Sequence, residues 1–291
     1  MFLKKVFFKT LHYILSERQF FTIRYYLKQG KIPNLVSPKK FTEKLLVSKL
    51  DEPTYFESLC ADKKGVREIV EKKIGSNYLI PLITSIETEE EFDLIFPNLP
   101  KQFAMKAAHG SGWNEIVFDK SKVNKNQLKR NVKKWLGDNY YFYGLEKQYK
   151  NIKPSVVFET LLVTDDGTVP YDYKFYCFGK GGKSEIIIQV DLDRFGNHQR
   201  AFYDSEWKRH PISILSSKSV RSQIEVTKPE CLDEMLKIVS DLSCDFDFSR
   251  IDLYVVGNKV YFGEITFHPE SAYGMIFEDE SQDYRLGELI L

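Results

Sequence analysis

The sequence predicts an α+β protein. Helical patterns dominate the first 75 residues, whereas most apolar segments from residue 102 onward are short and rich in Val, Ile, Tyr and Phe, as strands are. Helices that precede a run of strands, with few helices among the strands, favour the α+β class over an alternating βαβ fold. The clearest strand pair is RIDLYVVGNKVYFGEITFHPE, residues 250–270, with its turn at GN.

Glycine and proline mark the ends of the helices expected in the first hundred residues. Gly30 ends the first helix and Gly75 ends the third, which Asp62 is expected to cap. The expected elements are helices over 1–30, 41–50 and 61–75, a strand over 78–86, and a short helix followed by a turn over 89–100.

Strands dominate the remainder of the chain. Their apolar residues are β-branched or aromatic, and glycine-rich segments separate them. The expected elements are strands over 102–108 and 114–119 around the loop HGSGW, a polar helix over 125–136, a strand over 155–163, a hairpin over 171–193, a helix over 229–244 and the strand pair at 250–270.

The composition of the 291-residue chain excludes several classes of protein. The 42 Lys and Arg residues nearly balance the 41 Asp and Glu residues, so bulk charge does not indicate a nucleic-acid binder. The four cysteines show no CxxC spacing and no histidine cluster accompanies them, which argues against a structural zinc site and fits a reducing, cytoplasmic compartment. No run of about eighteen apolar residues is present, so a spanning helix is not expected.

The N-terminal segment MFLKKVFFKTLHYIL is basic and aromatic. Lysines interrupt its apolar run and no small-residue cleavage site follows, so we do not interpret it as a signal peptide. Two interpretations remain. The segment is either an amphipathic helix packed on the core, or a helix that makes peripheral contact with the inner face of a membrane.

The register of the strand pair at 250–270 determines which side chains face each other. A two-residue loop, Gly257 and Asn258, would pair Asp252 with Gly263 and turn Glu264 to the other face. A three-residue loop would instead pair Ile251 with Ile265, Val255 with Tyr261, Arg250 with Thr266, and Asp252 with Glu264. We favour the second register because it separates polar from apolar residues better.

Two carboxylates that face each other across a strand pair repel, and they either share a proton or bind a cation. Mg²⁺ prefers one or two carboxylates together with phosphate oxygens and water. With Arg250 and Thr266 on the same face, Asp252 and Glu264 therefore predict a site for a metal-bound triphosphate. The alternative is that Glu264 points to solvent in another register.

Other polar residues have a functional and an ordinary interpretation. Lys106 lies in a strand before HGSGW, whose backbone N–H groups can approach phosphate oxygens, but short glycine-containing hairpins are common. Lys63 is either a second phosphate-directed cation or part of a solvated charge run. His109 either contacts phosphate or is an exposed loop residue. Asp172 and Lys174 share one face of a strand, where they bind a ligand or form an ion pair.

These motifs, taken in order, resemble the ATP-grasp superfamily, and more narrowly its teichuronopeptide-biosynthesis type. The motifs are Lys63, Lys106 with HGSG, FETLL, DYKF, RIDLY and FGEIT. The resemblance covers the chain from about Lys39 to the C-terminus. It implies ATP held between two α+β lobes, with a helical segment at 1–60, a smaller lobe at 61–158 that carries the glycine-rich lid, and a larger lobe at 159–291 that carries the metal site.

The resemblance also implies a role for each motif residue. Those expected to bind ATP are Lys63, Lys106, His109, Gly110, Ser111, Gly112, Glu159, Leu161, Leu162 and Asp172. Those expected at the reacting groups are Arg250, Lys174 and Arg194, and those expected at Mg²⁺ are Asp252, Glu264 and Thr266. The sequence departs from many superfamily members at Thr266, where they have Asn.

The reaction implied by the resemblance is an ATP- and Mg²⁺-dependent ligation of a carboxylate to an amine through an acyl phosphate. In the narrower branch, this step attaches an amino acid to an acidic sugar of a bacterial surface polysaccharide or its precursor. Two alternatives stay open. A sugar kinase could use His268 or Asp193 as a base, and a metal-dependent glycosyltransferase could use the Asp-x-Asp spacing of Asp191 and Asp193.

Overall fold

The computed structural model describes residues 12–179, 185–192, 197–216 and 219–290. It forms two compact units, Pro53–Val169 and the combination of Met1–Glu52 with Pro170–Leu291. Residues 12–52, most of the segment 1–60 that was expected as a separate helical part, cluster with the C-terminal part of the chain.

Helices and strands are interspersed in the unit Pro53–Val169, and helices accompany a larger sheet in the other unit. Their bounds are α1 Glu17–Gln29, α2 Phe41–Ser48, α3 Tyr55–Ala61, α4 Val66–Lys73, α5 Glu89–Ile95, α6 Lys125–Leu136, α7 Tyr141–Gly144, α8 Leu232–Ser243 and α9 Glu280–Glu288. Those of the strands are β1 Leu82–Ile86, β2 Phe103–Ala107, β3 Asn114–Val117, β4 Val156–Glu159, β5 Asp172–Phe178, β6 Glu185–Leu192, β7 Gln199–Tyr203, β8 Ile214–Leu215, β9 Val220–Arg221, β10 Phe248–Val256, β11 Lys259–Thr266 and β12 Ile276–Phe277.

The unit Pro53–Val169 is built on a four-stranded sheet of order β1-β4-β2-β3. Helix α6 has the predicted bounds and buries Leu128, Val132 and Trp135, which recur at helical spacing. These side chains join Phe103 and Phe158 of the sheet in one apolar core. Burial of each large apolar side chain stabilises the unit by about 1.5–3 kcal/mol, so the core fixes β2 and β4, which carry predicted site residues.

The second unit is built on a six-stranded sheet of order β11-β10-β5-β6-β7-β9. Helix α8 packs against β5 and β10, and it buries Met235, Ile238 and Leu242. Because strand side chains alternate between faces, the apolar residues of β5 and β10 turn to one face and their charged residues to the other. The charged face carries the residues described below as the candidate site.

The N-terminal helices pack within this second unit. Helix α1 begins at Ser16, which forms a capping box with Gln19, and it ends at Gly30 in the left-handed conformation. Helix α2 is tied to α9, because Asp283 accepts hydrogen bonds from the backbone N–H of Thr42 at 2.9 Å and from its hydroxyl at 2.7 Å. Residues 1–11, part of the predicted first helix, lie outside the described residues.

The prediction that Asp62 caps the start of the helix expected over 61–75 was wrong. Thr54 and Glu57 form a capping box that starts α3, a helix not expected from the sequence. Asp62 therefore ends α3, and its carboxylate accepts a hydrogen bond from the backbone N–H of Lys64 at 2.9 Å. The next helix begins only at Val66. Strand β7 and helix α9 were also not expected.

The strand pair β10–β11 combines both registers considered for it. Its turn has two residues, since Val256 pairs with Lys259, and Val255 therefore faces Val260 and not Tyr261. A β-bulge between Asp252 and Leu253 then shifts the pairing by one residue. Beyond the bulge Asp252 faces Glu264, as predicted.

Gly263 is the extra residue of this bulge. A Cβ atom at this position would lie 2.9 Å from the carbonyl oxygen of Asp252 and 3.0 Å from the ring of Tyr254. Glycine therefore permits the close approach that brings Asp252 opposite Glu264.

We predict that Gly263→Ala lowers the free energy of unfolding by about 1–3 kcal/mol, because the added methyl group overlaps backbone that cannot move freely. Chemical denaturation measures the change. Gly137→Ala is the control, since its added Cβ would have only one neighbour, at 3.3 Å. Equal stability of Gly263→Ala and the unmodified protein would show that the bulge does not require glycine.

Candidate functional site

Arg250 neutralises the two facing carboxylates. Its guanidinium group donates to both oxygens of Asp252, from Nε at 2.7 Å and from Nη2 at 2.8 Å. Nη2 also contacts Glu264 Oε1 at 3.3 Å and Thr266 Oγ1 at 3.2 Å. The predicted arginine and the three predicted metal ligands therefore form one cluster on β10 and β11.

Lys174 is the second cation of this cluster. It lies on β5 directly opposite Asp252, and its Nζ is 2.7 Å from Asp252 Oδ2. The same ammonium group contacts Asp172 and lies 3.8 Å from Asp191 Oδ2. The predicted pair of Asp172 and Lys174 is thus an ion pair, and the same ammonium group joins Asp252 on β10 to it.

Burial and the neighbouring charges shift the pKa values of Lys174 and Asp252 in opposite directions. Burial disfavours the charged ammonium of Lys174, but Asp172 and Asp252 outweigh burial and raise its pKa. Burial raises the pKa of Asp252, whereas Arg250 and Lys174 lower it. The ionised state of Asp252 therefore depends on both cations.

The cluster continues to β6 and β7 through residues that the sequence analysis did not assign. Asp191, predicted only as part of an alternative Asp-x-Asp motif, accepts hydrogen bonds from Gln189 Nε2 at 2.7 Å and from Arg200 Nε at 3.2 Å. His198 Nε2 lies 3.2 Å from the same oxygen. The pairing of β6 with β7, which places Asp191 opposite Arg200, was not deducible because β7 was not predicted.

The unit Pro53–Val169 holds a separate charged cluster. Glu159 on β4 accepts hydrogen bonds from Lys106 Nζ at 2.8 Å and from Arg67 Nη1 at 3.2 Å. Arg67 also donates to the carbonyl oxygen of Ile80 at 3.0 Å. Arg67 was not assigned from the sequence, although it lies on the helix that follows Lys63.

The glycine-containing loop is held by Lys63 and His109. Lys63 Nζ donates to the carbonyl oxygen of Gly110 at 2.7 Å, and the backbone N–H of Lys63 donates to Ala108 at 3.1 Å. Gly112 has a positive φ of 69°. Gly110 does not, but a Cβ atom there would lie 3.0–3.1 Å from Trp113 and Tyr140.

His109 is buried, so the interpretation of it as an exposed loop residue was wrong. The backbone N–H of Ser155 donates to its Nδ1 at 3.3 Å, and its Nε2 lies 2.9 Å from the carbonyl oxygen of Trp135. Burial lowers the pKa of His109. A neutral imidazole with its proton on Nε2 satisfies both backbone contacts, and it anchors the loop to the core.

The remaining predicted residues make none of the ion pairs of the two clusters in the described part of the chain. Ser111 is half-buried next to Gly112, Leu161 is buried and Leu162 is half-buried just beyond the end of β4. His268, the alternative base, lies 3.2 Å from the Ser48 hydroxyl. Arg194 and Asp193 lie outside the described residues.

We predict that Glu159→Gln lowers the free energy of unfolding by about 2 kcal/mol, because two largely buried cations lose their common counter-charge. Glu87→Gln is a matched control, since Glu87 also pairs with two lysines, Lys64 and Lys153, but at a more exposed position. Denaturation at neutral pH measures both changes. An equal effect of the two substitutions would contradict this role of Glu159.

The sequence matches the family described as TupA-like ATPgrasp over residues 43–291. No curated protein sequence is significantly similar to the chain.

Solved structures that the chain resembles, at low identity, include ligases and synthetases. D-alanine–D-alanine ligase from Helicobacter pylori is 18% identical, with 80% of this chain and 61% of that chain covered and a TM-score of 0.44. Phosphoribosylamine–glycine ligase from Thermotoga maritima is 15% identical, with coverages of 76% and 52% and a TM-score of 0.41. N5-carboxyaminoimidazole ribonucleotide synthetase from Thermus thermophilus is 8% identical, with coverages of 74% and 48% and a TM-score of 0.41. The chain thus spans about six tenths or less of the length of these proteins.

Proposed function

Because the chain belongs to the TupA-like ATP-grasp family, we propose that it is an ATP-dependent carboxylate–amine ligase. The observation that carries the proposal is the cluster on one face of β10 and β11, in which Arg250 contacts Asp252, Glu264 and Thr266, the residues proposed to bind the metal.

The oxygen ligands of this cluster fit Mg²⁺. Two carboxylates and a hydroxyl group are hard ligands, and Mg²⁺ takes only one or two carboxylates when nucleotide phosphates supply the rest of its shell. Among the described residues, no group of three or more His, Cys, Asp or Glu side chains could hold a metal ion. We propose that Asp252, Glu264 and Thr266 would hold Mg²⁺ together with ATP, and that the ion would neutralise charge on the phosphate groups.

The proposed reaction has two steps. A carboxylate oxygen of the acid substrate attacks the γ-phosphorus of ATP, so that ADP leaves and an acyl phosphate forms. The amine nitrogen then attacks the acyl carbon, phosphate leaves, and the amide is produced after the nitrogen loses its proton. Arg250 and Lys174 stabilise the negative charge that develops in both steps, and Arg194 is proposed as a further contact to the acyl phosphate.

Residues of the unit Pro53–Val169 are proposed to bind the nucleotide. Lys63 and Lys106 direct their charge to the phosphate groups and the base, and the loop Gly110–Gly112, which His109 anchors, offers backbone N–H groups to phosphate. Glu159 and the backbone at Leu161 and Leu162 are proposed to contact adenine, and Asp172 of the other unit to contact ribose. The ion pairs of Glu159 and Lys106 hold these side chains in defined positions.

The proposed substrates are an acidic sugar of a bacterial surface polysaccharide, or its precursor, and an amino acid. This finer assignment rests on the teichuronopeptide-type pattern of the motifs. Mass spectrometry of the product separates it from the two alternatives, since an amide differs from the phosphate ester that a kinase makes and from the glycoside that a glycosyltransferase makes.

We predict that Glu264→Gln lowers the rate of ADP formation roughly 100-fold or more, because a metal ligand is lost. Stability should change little, since Glu264 faces Asp252 and the substitution removes their repulsion. A coupled ADP assay and thermal unfolding measure the two effects. Glu225→Gln, a surface glutamate that pairs with Arg209 at 3.7 Å, is the control. Unchanged turnover with lowered stability would assign Glu264 a structural role.

We further propose a cytoplasmic location with peripheral contact at the inner face of the membrane. Among the described residues, none of the helices combines the length and the apolar character that crossing a bilayer requires. Helix α1 instead exposes a stripe of apolar residues beside Lys28, and the loop after it exposes more. The exposed residues are Ile23, Tyr26, Leu27, Ile32 and Val36. An apolar stripe with adjacent positive charge is typical of helices that bind anionic lipid surfaces.

We predict that replacing both Tyr26 and Leu27 by Ser reduces co-sedimentation with phosphatidylglycerol-containing vesicles several-fold, because the apolar contact is lost. The same pair of changes at Tyr55 and Leu94, which are exposed in the other unit, is the control and should leave binding unchanged. Equal binding by all three proteins would contradict a membrane contact at α1.

A further inference from the structure

The turn after β11 holds three consecutive non-glycine residues at positive φ. The φ angles are 50° at Glu270, 54° at Ser271 and 67° at Ala272. A side chain makes this conformation costly, by about 1–2 kcal/mol for each residue. Such strain persists only where the surrounding structure imposes it, and it is concentrated at ligand-binding positions.

The contacts that impose this turn come from the N-terminal helices and from the chain just after it. Lys49 Nζ donates to the carbonyl oxygen of Ser271 at 3.0 Å and lies 4.4 Å from the ring centre of Tyr273. Gln29 Nε2 donates to the carbonyl oxygen of Tyr273 at 2.9 Å. A Cβ atom at Gly274 would lie 2.8 Å from the carbonyl oxygen of Glu270, so glycine permits the turn to close.

The turn directs the carboxylate of Glu270 to Arg200. Arg200 Nη2 donates to Glu270 Oε1 at 2.9 Å. The other donor groups of this arginine are also engaged, Nε with Asp191 at 3.2 Å and Nη1 with the carbonyl oxygen of Ile214 at 3.0 Å. Since Nε, Nη1 and Nη2 of Arg200 are all engaged within the protein, this arginine positions Glu270.

One oxygen of Glu270 remains available to a ligand. The side chain is 33% exposed, and Oε2 accepts no hydrogen bond from any residue in the described ranges. A carboxylate accepts hydrogen bonds through both oxygens, and it binds most strongly to charged donors. A carboxylate that Arg200 holds through one oxygen, on a side chain that is one-third exposed, therefore suits a cation that arrives from solution.

Ion pairs connect this carboxylate to the proposed metal site. Arg200 contacts Asp191, Asp191 lies 3.8 Å from Lys174 Nζ, and Lys174 contacts Asp252 at 2.7 Å. All of these residues belong to the unit that contains Pro170–Leu291. Glu270 follows the end of β11, the strand that carries Glu264, by four residues, and its contact with Arg200 joins it to the ion pairs that lead to Asp252.

We propose that Glu270 binds the ammonium group of the amine substrate. The proposal rests on the proposed ligase function, in which one substrate is an amine. An amine is protonated and cationic near neutral pH, and its N–H groups match the free Oε2 acceptor. The bound ammonium group loses one proton to water before its nitrogen attacks the acyl phosphate.

The test distinguishes the first step, in which the acid forms an acyl phosphate, from the second step, in which the amine attacks it. Hydroxylamine is uncharged at mildly alkaline pH, so it traps an acyl phosphate as a hydroxamate without an ammonium-binding residue. The protein is incubated with ATP, Mg²⁺, glucuronic or galacturonic acid and hydroxylamine, and each standard amino acid is added as a competitor. Hydroxamate is measured for the unmodified protein and for Glu270→Gln.

We expect Glu270→Gln to form hydroxamate at the unmodified rate. The concentration of a competing amino acid that halves the hydroxamate yield should rise about tenfold or more, because a charge-assisted hydrogen bond is lost. Glu278→Gln is the matched control, since Glu278 also accepts a hydrogen bond from an arginine, Arg221, at 2.9 Å. Glu278→Gln should change neither the rate of hydroxamate formation nor the amino-acid concentration that halves the yield.

Three results would overturn the proposal. Competition unchanged in Glu270→Gln would show that the carboxylate does not bind the amine. If Glu270→Gln forms less hydroxamate even without a competing amino acid, Glu270 acts in the formation of the acyl phosphate. If no amino acid competes with hydroxylamine, the protein has no ammonium site. If the unmodified protein forms no hydroxamate, the ligase function itself fails, which is a distinct result.

Discussion

The structure depends on the compensation of two like charges that a strand pair forces together. Asp252 and Glu264 face each other across β10 and β11, and Arg250 binds both while Lys174 binds Asp252 from the neighbouring strand. Such an arrangement is stable only while the cations stay in place, because a buried carboxylate without a partner is costly. The same arrangement leaves two oxygen ligands on one face, where a metal-bound nucleotide can add its own charge.

The local sequence pattern predicted that these carboxylates face each other, but it did not predict the turn and the bulge that produce this pairing. The alternation of polar and apolar residues correctly placed Asp252 opposite Glu264. The turn nevertheless has two residues, and the bulge at Gly263 corrects the register. A bulge follows from one close backbone contact, which periodicity does not reveal. The prediction that Asp62 starts a helix was also wrong. The capping box of Thr54 and Glu57 starts an additional helix, α3, and Asp62 lies at its end.

The parts of the site that the sequence did not predict come from contacts distant in the chain. Arg200 meets Asp191 only because β6 pairs with β7, and it meets Glu270 across 70 residues of sequence. Lys49 supports the strained turn from the N-terminal helices, which gave no functional signal of their own. One interpretation of His109 was an exposed loop residue, but it is buried and contacts two backbone groups. Strand order and tertiary packing, which determine these contacts, are not encoded in local periodicity.

The compensation of Asp252 by Arg250 and Lys174 has a direct consequence for metal binding. With these cations in place, the cluster should attract a divalent ion weakly until the phosphate groups of a nucleotide complete the shell. Titration with Mn²⁺, followed by electron paramagnetic resonance with and without a non-hydrolysable ATP analogue, measures this dependence. We expect tight binding of a single ion only when the nucleotide is present. Tight binding of Mn²⁺ to the protein alone, or no binding in the presence of the nucleotide, would contradict the proposed site.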